Sequence, residues 1–380
     1  MHCAVPLLLT RRDALRGPHA GSLGGGVTTI GVAVWRRLHN VAGDATSQES
    51  RTLRLVDLRY SQRVESCDEE AGFNVSDQPA PSCSTGRISA LVVSYQSEPV
   101  LERCLLTLRR ELCLETVVVD NASSDTSVEI ARHHGCKTVS LKCNVGFAAA
   151  ANIGLRLLLG SEYVLLTNPD MIVEPDGVRS MIALMTSDHR IACVGGDTVD
   201  PRTGRVHPGA VVFPGLASMV SQALGFGRGL GQTLIGRKVL ERRTRATSEQ
   251  RGWVSGGLML LRTKTVLEQG GFDERYWLYF EDVDLCTRLW KSGHRVVAVP
   301  VRCGVHSEGT GSFGDVPSTW RRKEYYSSAV CYYAQRFNVP TWSIALFFHM
   351  ALYARSILAR TAAERLHLRG CALQVARYHQ

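Results

Sequence analysis

Residues 115–125 read Glu-Thr-Val-Val-Val-Asp-Asn-Ala-Ser-Ser-Asp, an apolar run that ends in a carboxylate, Asp120. The run predicts a short strand buried on both faces of a parallel sheet. In open α/β sheets ligands bind beyond the carboxyl ends of the strands, so Asp120 lies where a bound base or ribose can donate hydrogen bonds to it. Asn121, Ser123 and Ser124 are typical of a helix cap, and taken alone the segment favours that plain structural role.

Strands and helices alternate on both sides of this segment. In chain order, the patterns predict strands over residues 88–93, 115–119, 138–141 and 163–167, and helices over 100–110, 124–134 and 147–159. This alternation predicts an α/β fold, a Rossmann-like and mostly parallel sheet with helices on both faces. Right-handed crossovers bring the loops after the strands to one edge of the sheet, so the polar segments in those loops are expected to meet.

The second half of the chain is less regular. Strand character returns at residues 253–261 and 296–301, and a short helix is predicted over 282–291. Residues 201–250 combine several glycines with a basic stretch, which indicates a mobile loop region over a site.

Changes in composition and hydrophobic periodicity divide the sequence into three regions, residues 1–86, 87–317 and 318–380. The first has poor periodicity and is expected to be a disordered extension, although a start codon assigned too far upstream explains it equally well. The last is helical, and its uncharged segment 339–354 is too short to span a bilayer. Because arginines follow that segment, it is interpreted either as an interfacial helix with a basic tail or as a helix packed on the domain.

Composition excludes a mainly disordered or collagen-like chain. Of 380 residues, 44% are apolar and 21% are charged, and the formal charge of +9 suits either nucleotide phosphates or an anionic membrane surface. The 12 cysteines include no C-x-x-C pair, which favours free thiols in a reducing compartment over zinc ligation. No convincing secretory signal precedes the folded region, so we expect a cytoplasmic protein at the inner face of the plasma membrane.

Two further polar segments follow predicted strands. Residues 144–152 place Asn144 and Gly146 before four alanines, where backbone amides can face a phosphate or small side chains can let a helix pack closely. The segment Asn168-Pro-Asp170 offers a carboxylate that can bind Mg²⁺ or Mn²⁺ among diphosphate oxygens, or it forms a plain Asn-Pro turn.

An acidic group lies inside an aromatic run at residues 276–284, with Glu281, Asp282 and Asp284 following Tyr-Trp-Leu-Tyr-Phe. Aromatic walls raise the pKa of a carboxyl group, which suits it to act as a general base. The alternative is a helix start, where the helix dipole favours acidic residues. We favour the functional interpretation, because acidic residues in an apolar run are costly unless they are used or paired. His306 follows a predicted strand and is unremarkable by itself.

In this order the segments resemble family 2 glycosyltransferases of the GT-A fold, and more narrowly the bacterial rhamnosyltransferase branch of cell-wall linker and O-antigen assembly. The matching segments are Leu91-Val-Val-Ser-Tyr95, Val117-Val-Val-Asp-Asn-Ala-Ser-Ser-Asp125, Asn144-Val-Gly-Phe147 with Asn152, Asn168-Pro-Asp170, Gly256-Gly257, Gly271-Phe-Asp273, Tyr279-Phe-Glu-Asp-Val-Asp-Leu285 and His306. The resemblance covers roughly residues 88–313 and is less specific for the sugar than for the superfamily.

The resemblance implies a role for each matching residue. The nucleotide-binding residues would be Ser94, Tyr95, Asp120, Asn121, Asn144, Gly146, Asn152 and Asn168. Asp170 and His306 would hold Mg²⁺ or Mn²⁺, although Asn-Pro-Asp offers one carboxylate fewer than the usual Asp-x-Asp. Asp282 would be the catalytic base and Glu281 would orient the acceptor. Gly256, Gly257 and Trp253 would line the acceptor side of the site. A side chain on either glycine would obstruct binding of the acceptor there.

The implied reaction is an inverting transfer of L-rhamnose from dTDP-rhamnose to a lipid-diphosphate-linked or polysaccharide acceptor. The implied partners are that donor, that acceptor and, peripherally, the membrane, with no nucleic acid. Two alternatives stay open: a UDP-linked galactofuranose, N-acetylglucosamine or glucose donor, and a non-catalytic nucleotide-sugar binding protein. A dinucleotide-dependent oxidoreductase is disfavoured, because Ser94-Tyr-Gln-Ser-Glu-Pro stands where G-x-G-x-x-G would follow the first strand.

Overall fold

The structure is a computed structural model that describes residues 73–76, 88–112, 114–225, 252–306 and 318–376. Most of the predicted extension 1–86, and residues 226–250 of the predicted loop region, lie outside this part. The strands are β1 (Phe73–Ser76), β2 (Ile88–Ser94), β3 (Glu115–Asp120), β4 (Lys137–Leu141), β5 (Tyr163–Thr167), β6 (Met171–Val173), β7 (Ile191–Val199), β8 (Val206–His207), β9 (Val211–Val212), β10 (Gly252–Trp253), β11 (Leu258–Arg262) and β12 (Arg295–His306). The helices are α1 (Glu98–Leu106), α2 (Ser127–His133), α3 (Phe147–Leu157), α4 (Pro175–Ser187), α5 (Leu216–Leu224), α6 (Thr263–Glu268), α7 (Glu281–Lys291), α8 (Ser318–Phe337), α9 (Thr341–Leu358) and α10 (Ala362–Ala376).

Within the described part of the chain, most strands form one mixed sheet in the order β1-β4-β3-β2-β5-β11-β7-β12-β6. Strands β4, β3, β2 and β5 are parallel, and antiparallel β11 connects β5 to β7, which is parallel to β12. The loops that follow β2, β3, β4 and β5 therefore share one edge of the sheet, as the sequence predicts.

Both faces of the central strands are buried, which requires helices on both sides. Along β2, Ala90 and Val92 belong to one apolar cluster, whereas Leu91 and Val93 belong to another on the opposite face. This is the period-two alternation of a strand. Helices α1 and α4 complete the first cluster, and α3 and α7 complete the second. The predicted α/β architecture is confirmed.

Helix α3 packs closely on the sheet because its inner face consists of small residues. Ala148, Ala150, Ala151 and Gly154 are buried, and a Cβ atom added to Gly154 would overlap the side chain of Leu91. The alanine-rich segment therefore serves close helix–strand packing, one of the two interpretations that its sequence allows.

Some elements differ from their predicted bounds. The strand predicted over 253–261 was wrong in its middle: β10 ends at Trp253 and β11 begins at Leu258, because residues 255–257 form a turn. The helix predicted over 100–110 begins at Glu98 and ends in a π-helical turn. Strands β6 and β7 and helix α4 were not predicted, and the two glycines of β7 interrupt the apolar run that would indicate a strand.

The edge of the sheet at β4 departs from expectation in two ways. Residues 73–76, which belong to the predicted extension, pair antiparallel with β4 as strand β1. Cys143, two residues after β4, is disulfide-bonded, which corrects the expectation of a free thiol there. The other described cysteines are free and mostly buried, as expected.

Helices α8, α9 and α10 pack together around a third apolar cluster. The inner face of α9, including Ile344, Phe348 and Leu352, is buried in that cluster. The inner face of α9 therefore packs on the neighbouring helices, and this packing leaves the outer face of the helix exposed. Across the residues that the structure describes, no helix is both long and apolar enough to cross a membrane.

We expect the packing of α4 on β12 to tolerate no side chain at Gly177. A Cβ atom there would lie 2.7 Å from the carbonyl oxygen of Arg302 and would overlap the backbone of Cys303. Gly177→Ala should lower the free energy of unfolding by roughly 1–3 kcal/mol, because the clash is with backbone rather than with a movable side-chain end. Chemical denaturation measures this change.

Gly160→Ala is the matched control, since no atom lies within 4 Å of its added Cβ. It should leave the free energy of unfolding unchanged or raise it by less than about 1 kcal/mol. Equal effects of the two substitutions would contradict the close approach of α4 to β12.

Candidate active site

Strand pairing brings Asp170 and His306 together. His306 ends β12 and pairs with Met171 at the start of β6, so Asp170 lies beside it. The Nε2 atom of His306 is 3.1 Å from Oδ1 of Asp170, and both side chains are largely buried. The sequence separates these residues by more than a hundred positions, and the β6–β12 pairing places both at one point of the sheet edge.

The turn Ser255-Gly256-Gly257 joins this pair to the acidic segment at the start of α7. The backbone N–H of Gly256 donates to Oδ2 of Asp282 over 2.9 Å. A Cβ atom on Gly257 would lie 3.7 Å from Cε1 of His306 and 3.5 Å from Nδ2 of Asn168. Two neighbouring glycines thus lie beside the predicted base and one predicted metal ligand, His306. Added Cβ atoms would make ordinary contacts here, so nothing within the protein itself forbids a side chain at Gly257.

The carboxylate of Asp282 is buried but stabilised by backbone donors. In addition to the bond from Gly256, Oδ1 accepts the N–H of Val283 over 2.8 Å. Burial raises the pKa of Asp282 to about 6, and these two backbone hydrogen bonds oppose that rise. A carboxyl group in this state ionises near neutral pH and is a stronger base than an exposed aspartate.

Glu281 is the more strongly perturbed member of the acidic pair. Its Oε2 atom is buried and has no hydrogen-bond partner within the described residues. Burial raises its pKa well above the usual range, and the neighbouring Asp282 raises it further. Because only Asp282 has backbone donors on both oxygens, the first proton leaves Asp282 while Glu281 stays neutral.

The third acid, Asp284, has a structural role. Its Oδ2 accepts a hydrogen bond of 2.7 Å from Nε of Arg288, one turn later on α7. The same guanidinium donates to the carbonyl oxygens of Gln269 and Gly271, so it fixes the loop before the aromatic run. Burial raises the pKa of Asp284, and the charge of Arg288 lowers it. Of the three acids, Asp284 is the one with an internal counterion.

The backbone before α7 is strained. Tyr279 and Phe280 both have left-handed conformations, with φ of 69° and 67°, which non-glycine residues rarely adopt. Helix α8 holds them there, because the ring of Tyr325 packs on both and Ser328 donates to the carbonyl oxygen of Leu278. Strain of this kind concentrates at functional sites. The left-handed backbone at Tyr279 and Phe280 directs the first turn of α7 towards the turn at residues 255–257.

Asp120 lies at the end of β3 and is fully buried. Its carboxylate accepts hydrogen bonds from the backbone N–H and the hydroxyl of Ser123, over 2.9 and 2.6 Å. Burial raises the pKa of Asp120, and the bonds from Ser123 oppose that rise. The helix-cap character seen in the sequence is therefore present, and a nucleotide could contact Asp120 only after the carboxylate is uncovered.

The loop after β2 is tied to the loop after β3. Gln96, whose φ is 50°, donates its backbone N–H to Ser123 and its side-chain amide to Ser124. Next to it, Ser94 is buried and its carbonyl oxygen accepts the N–H of Asn121, while the N–H of Tyr95 bonds to a serine hydroxyl within the same loop. Sequence reasoning missed Gln96, although its place after a buried strand is the signal that would have selected it.

The backbone amides of the turn before α3 already have hydrogen-bond partners within the protein. The side chain of Asn121 accepts the N–H of Val145 and donates to the carbonyl oxygen of Gly146. The N–H of Gly146 bonds to the side chain of Asn144, and that of Phe147 bonds to the carbonyl oxygen of Trp277. Three consecutive amides are thus already used, so Asn121, Asn144 and Gly146 brace the turn rather than present those amides to a phosphate.

Asn152 is buried on α3 and is fully engaged with another segment. Its amide donates to the carbonyl oxygen of Phe272 and to Glu274, and its oxygen accepts the N–H of Phe272. This pins the loop that precedes the aromatic run. Trp253 lies half-buried in β10, and its indole N–H is buried without a partner in the described parts of the chain. A polar group of a bound molecule would satisfy it.

The family profile described as Glycosyl transferase family 2 matches residues 89–241 of this chain. The chain is also 28% identical over 308 residues to the N-acetylglucosaminyl-diphospho-decaprenol L-rhamnosyltransferase of Mycobacterium tuberculosis, covering 75% of this chain and 98% of that protein. By sequence, this chain is similar to family 2 glycosyltransferases, and the relatives it resembles include rhamnosyltransferases.

Two further likenesses accompany that match. The Rhamnosyltransferase WbbL of Escherichia coli (strain K12) is 26% identical over 227 residues, covering 57% of this chain and 81% of that protein. A mannosyltransferase from Pyrobaculum calidifontis, solved in complex with GDP-Man and Mn²⁺, aligns with a TM-score of 0.47 at 17% identity, covering 87% of this chain and 96% of that chain.

The candidate metal ligands of this site are few. Among the residues that the structure describes, no group of three or more His, Cys, Asp or Glu side chains could enclose a metal ion. Asp170 and His306 nevertheless supply one oxygen and one nitrogen at a single point. This pair fits a divalent ion whose remaining positions are filled by diphosphate oxygens and water, and does not fit a closed structural site.

The two aspartates of α7 should respond oppositely to removal of their charge. The folded-state pKa of Asp282, about 6, exceeds the value of about 4 in an unfolded chain. This group therefore favours folding below about pH 4, and its contribution is lost as the pH rises through about 6. The unfolding temperature of Asp282→Asn, relative to that of the original chain, should therefore rise between pH 5 and pH 8, because only the original chain gains a buried charge over this range. Calorimetry at the two pH values tests this.

Asp284→Asn is the matched comparison. It removes the partner of Arg288, so it should lower the free energy of unfolding at pH 8 by about 2 kcal/mol. A relative unfolding temperature of Asp282→Asn that does not rise between pH 5 and pH 8 would contradict the raised pKa of Asp282.

Proposed function

We propose that this chain is a glycosyltransferase that transfers L-rhamnose from dTDP-rhamnose to a lipid-diphosphate-linked or polysaccharide acceptor in cell-envelope assembly, with inversion at the anomeric carbon. The observation that carries the proposal is the buried carboxyl of Asp282, bonded to Gly256, one residue from the glycine beside His306. The choice of sugar is supported by the names of the two bacterial relatives, both of which are rhamnosyltransferases.

Asp282 is the general base of the proposed reaction. As the acceptor oxygen forms its bond to the anomeric carbon, its proton passes to Asp282, and the bond from that carbon to the nucleoside diphosphate breaks. The raised pKa of Asp282 supports this role, because a base with a pKa near the working pH accepts a proton most effectively. The backbone bonds from Gly256 and Val283 keep the carboxylate in place and ionised.

Glu281 orients the acceptor in this scheme. A neutral carboxyl group carries one donor and further acceptor capacity, and the unpartnered Oε2 of Glu281 is free to bind a hydroxyl group. Its neutrality also spares the site a second negative charge beside Asp282. The left-handed backbone at Tyr279 and Phe280 positions both acids, since it sets the direction in which α7 begins.

Asp170 and His306 would hold Mg²⁺ or Mn²⁺ in this proposal. When bound, the ion would neutralise charge that builds on the departing diphosphate. The donor set supports a divalent ion, because a carboxylate oxygen and an imidazole nitrogen meet there with room for ligands from the substrate. The loops after β2 and β3 would take the base and ribose, with Asp120, Ser94 and Tyr95 nearest the ends of their strands.

We expect transfer of rhamnose from dTDP-rhamnose to a lipid-diphosphate-linked N-acetylglucosamine acceptor, measured as radiolabelled product. Asp282→Asn should reduce turnover by roughly 10²–10⁴-fold, because it removes the proton acceptor and its amide oxygen can accept only one of the two backbone hydrogen bonds. For the original chain, kcat/KM should rise with pH through about 6 as Asp282 ionises.

Glu281→Gln is the matched control for the base. It keeps the shape of the side chain and should raise KM for the acceptor more than it lowers kcat, as expected for a positioning role. Turnover of UDP-sugars but not of dTDP-rhamnose would retain the base and overturn the proposed donor. Unchanged turnover in Asp282→Asn would remove Asp282 from the mechanism.

Metal binding should be visible without catalysis, as tighter binding of dTDP in the presence of Mn²⁺. In isothermal titration, Mn²⁺ should strengthen dTDP binding by about tenfold or more for the original chain, because the ion links the diphosphate to Asp170. Asp170→Asn should abolish this gain while leaving metal-free dTDP binding nearly unchanged.

Asp176→Asn is the control for this measurement, since that carboxylate is exposed on α4 and pairs with Arg179. It should keep the full effect of Mn²⁺. The same gain in Asp170→Asn as in the original chain would place the ion elsewhere.

A further inference from the structure

Helix α9 carries a continuous apolar stripe on its outer face. Trp342, Met350, Tyr353 and Ile357 are 48%, 57%, 38% and 63% exposed, and half-buried Leu346 fills the position between the first two. Their spacing of four, four, three and four residues follows one side of a helix. The stripe therefore runs almost the whole length of α9, and Leu358, 81% exposed, extends it at the C-terminal end.

The stripe is not a by-product of incomplete packing. The opposite side of α9 is buried against α8 and α10, so the helix already has its core contacts. The single charged residue of α9, Arg355, turns away from the stripe and donates to the carbonyl oxygen of Ala223 and the hydroxyl of Tyr326. The outer face is thus left without a formal charge over about 27 Å of helix.

Two exposed arginines follow the stripe in the sequence. Arg360 and Arg365 lie two and seven residues after Leu358, with Glu364 as the one acidic side chain between them. The described C-terminal region, residues 318–376, contains eight basic and two acidic residues. An apolar face that ends among arginines suits the boundary between the acyl chains and the headgroups of an anionic bilayer.

We propose that the α9 stripe is a membrane-docking surface that lies in the plane of an anionic phospholipid bilayer. Its apolar side chains enter the outer acyl region, and Arg360 and Arg365 contact the headgroup phosphates. A second copy of the chain is a weaker occupant, because six side chains on one helix fall well short of the roughly 20–30 residues per partner of a stable protein interface. This inference goes beyond the proposed transfer reaction, since docking needs neither donor nor acceptor.

The test is co-sedimentation of the full chain with vesicles of phosphatidylcholine alone or mixed with phosphatidylglycerol. The original chain should bind the mixed vesicles at least tenfold more tightly than the neutral ones. Met350→Ser with Ile357→Ser should weaken binding to mixed vesicles about tenfold or more, because both side chains lose their apolar contact with lipid. Arg360→Gln with Arg365→Gln should weaken binding to mixed vesicles while leaving binding to neutral vesicles unchanged.

Leu159→Ser is the matched control, because Leu159 is 64% exposed beyond the end of α3, far along the chain from α9. It should bind vesicles as the original chain does. Equal binding by the stripe variant and the original chain, or no vesicle binding at all, would overturn the proposal. So would a dimer in sedimentation equilibrium that the stripe variant converts to a monomer, since the stripe would then be a self-interface. Isothermal titration of the same samples with dTDP measures nucleotide binding separately. Intact dTDP binding without vesicle binding would contradict the docking proposal and leave the proposed transfer reaction standing.

Discussion

The candidate site depends on the double pairing of β12, which is parallel to β7 on one side and antiparallel to β6 on the other. The β6 side brings His306 to Asp170, and the β7 side fixes β12 to the centre of the sheet. Both pairings require the backbone of β12 to lie very close to its neighbours, which leaves no space for side chains at some positions. A Cβ atom on Gly177 would strike the backbone of β12, and one on Gly196 would overlap Cys303. The glycines that line β12 thus determine where the candidate metal ligands meet, although none of them touches the site.

The acidic segment shows how one short sequence is divided between folding and chemistry. Asp284 has Arg288 as its counterion, so its charge is neutralised within the protein. Asp282 has only backbone dipoles, which stabilise its carboxylate without neutralising it. Glu281 has neither at Oε2, so burial keeps it protonated. The proposed base, Asp282, therefore stands between a structural acid and a neutral one, and its raised pKa reflects burial that two backbone hydrogen bonds offset only in part.

The sequence predicted the parts of the site that depend on local pattern. Asp120 and Asp170 follow apolar strands, and that rule selects them without knowledge of the fold. Asn152 could not be interpreted in this way, because its hydrogen bonds reach Phe272, 120 positions along the chain. The left-handed backbone at Tyr279 and Phe280 could not be predicted from the sequence either. Such conformations are normally predicted where glycine or asparagine occurs, and neither residue is present here. Both features are imposed by long-range packing, which a pattern of neighbouring residues does not contain.

The C-terminal helices are mechanically connected to the site. The ring of Phe280, the residue before Glu281, lies 6.2 Å from that of Tyr333 on α8, which in turn lies 6.3 Å from that of Phe348 on the inner face of α9. Aromatic rings in such contact are stiff and closely packed, so displacement of α9 would be transmitted to the backbone that aims the two acids. A surface on the outer face of α9 would therefore fix the orientation of the catalytic segment relative to whatever that surface binds. For an acceptor carried on a lipid, orientation at the membrane and geometry at Asp282 would then be set by the same three helices.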